Sequence, residues 1–437
     1  MKTVIYINDA EILQVIAKEL NGQSISYALL RKPEGLPEKI ESNDIDFIIR
    51  NDQLRHAVEI VEKVAKINNY KIIWRNSLSY IYGLILVKYF KGCIRYLKID
   101  FFSGFSWRGI DLVDTSKLLK YISFKGYIPI LNNDHMISLS FLNDILYKKK
   151  YTENNIQQYK DAIKSNKLLN EEFFLIDFSL LKLTEDEFAP TANRRKAVSQ
   201  IKKQSNYYYS FLKFKLDEHQ RRSKMGYQIS FSGPDGSGKS TVANYIFDFF
   251  KEIKLTESLD HYLPPGFKNI HQLKLIPKTS QVKSQSYTEP YSQPLVSKPQ
   301  SLIRLCYYLI SFYLGYVVYV SKIKKLNKVL IFDRYFIDII SDPTRSRLSL
   351  DKRFVSKIFT LITRPELPII FVADPKLMVE RKGELSLEKA LELYSKYKET
   401  SEDINAFFYQ NDGTIDNAIE YVFENIFSLM EKHYEKI

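Results

Sequence analysis

Nine consecutive residues, Gly233-Pro-Asp-Gly-Ser-Gly-Lys-Ser-Thr241, have the types and spacing that hold a polyphosphate. Gly233, Gly236 and Gly238 let successive backbone N–H groups turn toward one point, and a helix starting near Lys239 adds its positive end. In such a loop Lys239 bridges the β- and γ-phosphates, Ser240 ligates Mg²⁺, and Ser237 and Thr241 complete the phosphate contacts. A glycine-rich turn with a surface lysine is the simpler reading. The flanks argue against it, because the β-compatible run Gln228–Ser232 enters the loop and a helix pattern with Val242, Ile246, Phe249 and Phe250 leaves it.

A second constellation is acidic. In Asn43-Asp-Ile-Asp-Phe-Ile-Ile49 a period of two places Asp44 and Asp46 on one strand face and Ile45 and Phe47 on the other. Arg95-Tyr-Leu-Lys-Ile-Asp-Phe-Phe102 alternates again, with Tyr96, Lys98 and Asp100 sharing a side. If the two strands are neighbours, Asp100 joins Asp44 and Asp46. Three converging carboxylates repel unless a divalent cation compensates them, and oxygen ligands suit Mg²⁺. Such a site can carry out two-metal nucleotidyl transfer. The simpler reading is an Asp-x-Asp on an exposed strand edge with Asp100 unrelated.

On these residues the stretch from Ser26 to Phe124 resembles the nucleotidyltransferase superfamily, whose signature is a Gly-Ser turn, an Asp-x-Asp strand and a later single Asp. One departure stands out. Leu30-Arg-Lys-Pro-Glu-Gly35 occupies the place of the Gly-Ser turn that holds the incoming triphosphate. An active transferase and a degenerate domain that binds a different ligand both remain open.

Two further motifs follow strands of buried type. Lys328–Phe332 ends in Asp333-Arg334-Tyr335, and Pro368–Val372 leads through Asp374-Pro375 to Arg381 and Lys382. Ligands of open α/β sheets gather at the carboxyl ends of strands, where these groups would lie beside the glycine loop. Asp333 can hold Mg²⁺ through water, Arg334 can fork onto an acceptor phosphate, and Arg381 can reach a transferring phosphoryl group from a lid. An Asp-Arg pair capping the next helix is the plainer alternative.

Residues 226–437 resemble the thymidylate kinase branch of the phosphate-loop kinases, through the glycine loop, Asp333-Arg-Tyr335 and the Asp374-Pro plus Arg381 region. The resemblance implies ATP and Mg²⁺ as cofactors, Asp235 facing the acceptor sugar, Arg334 on the acceptor phosphate with Tyr335 beside it, and a homodimer. The continuation Phe336-Ile-Asp-Ile-Ile-Ser-Asp-Pro343 and the long loop before Pro299 are unlike housekeeping thymidylate kinases. The acceptor is therefore left open as a nucleoside monophosphate or another small phosphorylated or hydroxylated molecule. Two other functions suit the same residues: a nucleotide-gated regulator of membrane or nucleic-acid binding, and a nucleotidyltransferase with an accessory ATP-binding domain.

With 437 residues the chain exceeds what one core supports. The expected fold class is α/β, with a parallel phosphate-loop NTPase sheet flanked by helices at 226–437, an α+β nucleotidyltransferase-like domain at 1–125, and a helical region with a basic connector at 126–225. Helical text is expected from Lys120 to Tyr151 and from Leu168 to Lys182, and 368–372 is expected to be the last strand. An apolar content of 45% excludes a disordered chain, and a net charge of +13 points to an anionic partner. The connector interleaves basic residues with Tyr207–Tyr209 and Phe211, yet no nucleic-acid fold accompanies it, so a solvated connector is expected. Cys93 and Cys306 are too few for a disulfide framework, and no signal peptide is read, so a cytoplasmic location is expected. Residues 305–320 are nearly free of charge. They are read chiefly as a buried helix, with a membrane-surface or subunit contact as the alternative.

Overall fold

Runs of alternating apolar residues become strands, and runs with a 3.6 spacing become the helices that cover them. A computed structural model describes residues 5–435 apart from 32, 43, 79, 91, 148–152, 165–173, 182–189, 223–225, 257, 268–293, 360 and 383–384. The long loop expected over the site lies mostly outside the described residues. Contacts divide the chain into two compact units, Met1–Arg221 with Met430–Lys436, and Arg222–Leu429. Each is mixed α/β.

The first unit is built on β1 Ile5–Asn8, β2 Tyr27–Leu29, β3 Ile45–Ile49, β4 Lys71–Leu78, β5 Ile81–Phe90 and β6 Cys93–Phe102, followed by the ribbon β7 Ser106–Trp107 with β8 Ile110–Asp111, and by β9 Ile122–Lys125 and β10 Ile128–Leu131. The sheet order is β4-β5-β6-β3-β2-β10-β9, with β1 also on β6. Both β1 and β3 run parallel to β6 along one of its edges, β1 at Cys93–Tyr96 and β3 at Ile99–Phe102. The hairpin Ile122–Leu131 corrects the expectation of helix from Lys120: its strands pair with each other and β10 extends the sheet against β2. The helix begins only at Asn133 and runs to Tyr147. The described part of the helix expected at Leu168–Lys182 is instead an isolated bridge at Phe174 and a 3₁₀ turn at Phe178–Leu180.

Period-two alternation splits the strand side chains between two cores. Ile45, Phe47, Ile49, Ile99 and Phe101 join the helices Ala10–Gly22 and Leu54–Ile67 on one face. Ile48 and Phe102 face the other way, toward the helix Asn133–Tyr147. Asp46 and Asp100 share the parity of this second face.

The second unit carries β11 Tyr227–Ser232, β12 Leu259–His261, β13 Val329–Asp333, β14 Leu367–Val372 and β15 Phe407–Gln410, in the order β12-β13-β11-β14-β15 and all parallel. β15 corrects the expectation that the sheet ends with 368–372. Its apolar stretch Ala406–Tyr409 is four residues long, half-buried, and follows the helix Leu387–Asp403 after two residues, so it does not stand out as a buried strand. His261, expected in a loop, closes β12 opposite Asp333. The chain leaves β11 toward one edge and β13 toward the other, so the topological switch point falls between these two adjacent strands.

The helix Lys239–Glu252 covers one sheet face with Ile415–Tyr434, where Phe249 meets Phe423 and Phe427 at 5.7 and 5.5 Å. Leu330, Phe332, Ile370 and Val372 pack on the other face with Tyr308, Phe312 and Phe336. The helix Lys298–Gly315 continues as a π-helical turn to Val320 and on to Lys325. It buries Leu305, Tyr308 and Phe312 and exposes Ile303, Ile310, Tyr313 and Val318, so it is an amphipathic helix with one buried face. By length and composition alone it is long and apolar enough to cross a membrane.

The phenyl rings of Phe47 and Phe101 stack at 5.9 Å behind the acidic face and fix the β3–β6 pairing. Truncating Phe101 to Ala should cost about 3–5 kcal/mol. Both tryptophans, Trp74 and Trp107, lie in the first unit. Denaturation followed by tryptophan emission therefore reads that loss in the unit where it occurs.

Candidate functional site

At the carboxyl end of β11 the loop turns through Gly233 at φ 151°, Gly236 at 83° and Gly238 at 86°. All three positions are also closed by packing. A Cβ at Gly233 would lie 2.0 Å from the Phe371 carbonyl oxygen, one at Gly236 2.6 Å from the Met378 carbonyl oxygen, and one at Gly238 2.5 Å from the Asn411 amide. The loop is thus pressed between β14 and the end of β15 while its curvature opens toward the start of the helix. Gly238 caps that helix, and the first-turn N–H groups have no carbonyl partner within it.

Lys239 is buried at 5% exposure. Burial, joined by the charge of Arg334, lowers its pKa to about 8, with Asp333, Asp235 and Asp338 pulling it back up. Asp333 ends β13. Burial raises its pKa, but contacts with His261, Lys239 and the Ser240 hydroxyl win and hold it at about 2. His261 Nδ1 stands 3.6 Å from Asp333 Oδ2. Lys239, Ser240 and Asp333 are therefore brought together at the switch point, with the carboxylate ionised at neutral pH. A hydroxyl and an anionic carboxylate beside a glycine cradle fit a hard divalent cation riding on a polyphosphate.

Arg334 is placed differently from an open acceptor contact. It adopts φ 79°, rare for a residue with a Cβ, and is 3% exposed. Its backbone N–H donates to Phe231 O at 2.7 Å. Nη1 donates to Gly233 O at 3.1 Å and to Asp338 Oδ1 at 2.9 Å, and Nη2 donates to Asp235 Oδ1 at 2.7 Å. Asp235 is also paired with Arg345. Burial raises the Asp235 pKa, yet the two guanidiniums hold it well below the usual carboxylate range. Tyr335, expected beside the acceptor, is 1% exposed, lies 4.9 Å from the Phe312 ring, and donates its hydroxyl to Thr363 O at 3.1 Å. Arg381, on the helix Pro375–Lys382, reaches back so that Nη1 lies 3.4 Å from Gly236 O and 3.3 Å from Asn411 O.

Three residues were given no role by sequence reasoning. Asp338 accepts from the Gly233 N–H at 3.2 Å and from Tyr397 Oη at 2.8 Å, besides Arg334. Its signal was the four-residue spacing from Arg334 at the start of a helix. Asn411 donates to Ser237 O at 2.8 Å, from the residue after the short strand Phe407–Gln410. Arg345 had no local signal.

In the first unit Asp46 and Asp100 are direct partners in the parallel β3–β6 register, and Asp44, Asp46 and Asp100 bring oxygen atoms within 4.8 Å of one another. Gly83 on β5 makes room: a Cβ there would sit 2.4 Å from Asp100 Oδ1. Burial pushes the Asp100 pKa up to about 7, with Lys98 opposing and Asp46 and Asp44 adding to the rise. Burial also raises Asp46, against the pull of Arg31, which is ion-paired with it. Lys98 Nζ stands 4.0 Å from Asp44. Three clustered oxygens, with Asp100 Oδ1 buried and lacking a donor, fit a divalent cation.

No protein-family model and no curated protein matches the chain. Among solved structures, thymidylate kinase from Ehrlichia chaffeensis is similar over 47% of this chain and 98% of its own, with 16% identity and a TM-score of 0.31. A likeness of that size decides neither fold nor activity.

Because the Lys239 pKa in the folded protein lies below that of an ordinary lysine, the unfolded chain binds more protons above about pH 8, and this group's contribution to stability rises with pH there. A bound polyphosphate favours the ammonium form. At pH 8 the binding of ATP should therefore take up roughly half a proton, read by calorimetry in buffers of different ionisation heat. Lys239→Met should abolish the uptake, and wild-type binding without any proton uptake would contradict the placement of Lys239.

Proposed function

We propose that the second unit is an ATP- and Mg²⁺-dependent phosphotransferase resembling thymidylate kinase, acting on a small-molecule acceptor such as a nucleoside monophosphate. The observation that carries this reading is the glycine loop closing on buried Lys239, with Ser240 and Asp333 beside it at the sheet's switch point. The loop amides and the helix start would hold the β- and γ-phosphates, and Lys239 would neutralise charge that moves to the bridging oxygen. Ser240 and Asp333 would hold Mg²⁺, which when bound supplies charge compensation for the phosphates. Arg381, one residue from the end of its helix and over Gly236, would stabilise the transferring group. Arg334 and Asp338 would act one layer behind, keeping the loop in its open curve.

A second reading is favoured by the meeting of Asp44, Asp46 and Asp100 in the first unit. That geometry suits a divalent-cation site of the nucleotidyltransferase kind, held on a rigid β3–β6 pair. On this reading Asp46→Asn removes divalent-cation binding from the first unit and leaves ATP phosphoryl transfer unchanged.

The leading reading is tested by Lys239→Ala. ATP-dependent phosphorylation, screened over nucleoside monophosphates, nucleosides and sugars, should fall about 10²–10³-fold in that variant while the tryptophan-monitored stability of the first unit stays the same. Undiminished phosphorylation would refute it.

A further inference from the structure

Arg31 stands at two places at once. Its Nε is paired with Asp46 Oδ2, and its side chain also lines a cavity of about 500 Å³ bounded by the loop after β2, the end of β6 and the helix Asn133–Tyr147. Asp46 is 3% exposed and fixed in the sheet, while the Arg31 side chain is 49% exposed on a long stem. One partner of this ion pair is enclosed in the sheet and the other is half-exposed.

The charges make the pair displaceable. Asp44, Asp46 and Asp100 present up to three negative charges, and Arg31 with Lys98 returns two. A divalent cation among the same oxygens would leave Arg31 facing a like charge at close range, which disfavours its place on Asp46. The cavity offers the alternative. Its size is that of a small-molecule site. Phe102, Phe105, Met136 and Ile137 supply apolar wall, Asn133 and Asn143 supply amides, and Arg31 is the one cationic side chain among its described lining residues. Of the two carboxylates in the wall, Asp144 accepts from the Tyr159 hydroxyl at 2.8 Å, and Glu34 belongs to the same loop as Arg31. An anionic group entering the cavity therefore has a single favourable pole, the guanidinium, whose fork suits phosphate or carboxylate.

We propose that Arg31 is a built-in counter-cation of the acidic site, which a divalent cation displaces into the neighbouring cavity, where it binds the phosphate or carboxylate of a small-molecule ligand. The proposal rests on the reading of the three acids as a divalent-cation site. It adds that cation and anion bind cooperatively through one side chain, and linkage makes the coupling equal in both directions. It also assigns a role to the loop Leu30–Gly35, whose arginine stands where the related signature has a Gly-Ser turn.

The test uses the full chain and tryptophan quenching by Mn²⁺. Trp74 lies under Lys98, whose Nζ is 5.9 Å from the ring centroid, and packs beside Gly83, so it reports on this site. Arg31→Met should raise Mn²⁺ affinity by about tenfold, and sulfate, used as the anion probe, should raise it at least severalfold in the wild type and not in Arg31→Met. Arg31→Lys, which keeps the charge and loses the fork, should retain the wild-type Mn²⁺ affinity and lose most of the sulfate effect. Equal Mn²⁺ affinity in wild type and Arg31→Met would overturn the proposal and leave the cation site standing. So would an equal sulfate effect in the two. Absence of Mn²⁺ quenching in both proteins, or quenching that survives Asp46→Asn, would remove the cation site and the proposal together.

Discussion

The buried ion cluster of Asp235, Arg334 and Asp338 holds the glycine loop in shape. Arg334, the residue that follows β13, donates to a carboxylate inside the loop, to the loop's first carbonyl, and to Asp338, which in turn receives the Gly233 N–H. Removing one partner of such a buried pair leaves an uncompensated charge, at a cost of about 3–5 kcal/mol. The left-handed backbone of Arg334 is tolerated because these contacts over-determine it. A loop with three glycines would otherwise be the least ordered part of the sheet's carboxyl end.

This anchoring shapes the electrostatics of the site. Asp235 is committed to two arginines, Arg334 and Arg345, and is held ionised, while Lys239 is buried among charges of both signs with its proton only loosely kept. Burial set against neighbouring charges of both signs strikes that balance.

The first unit solves a similar problem with other residues. Its acids converge because two parallel strands align Asp46 with Asp100, and the resulting repulsion is met by Arg31 from a loop and Lys98 from β6 itself. In each unit largely buried carboxylates gather in or beside the sheet, and cations close to them compensate their charge. Much of this could be read from the linear text. The alternation in 43–49 and 95–102 placed the three acids on one face, and the glycine spacing placed Lys239 and Ser240 at a helix start. The hairpin Ile122–Leu131 is hard to read because its strands are only four residues long and the second contains Pro129, and β15 because its residues are half-buried and aromatic without clear alternation.

The linear order of residues was enough to set whatever depends on near neighbours: the left-handed turns at Gly236 and Gly238, the face on which Asp44 and Asp46 lie, and the helix that begins at Lys239. Those are matters of backbone sterics and side-chain period, which act over a few residues. Only the tertiary structure decided what each charge touches. Arg334 and Asp235 are 99 residues apart, and Arg31 finds Asp46 across a strand pairing and a loop. Coulomb energy depends on distance in space and on burial, and both are fixed only when distant strands are packed side by side.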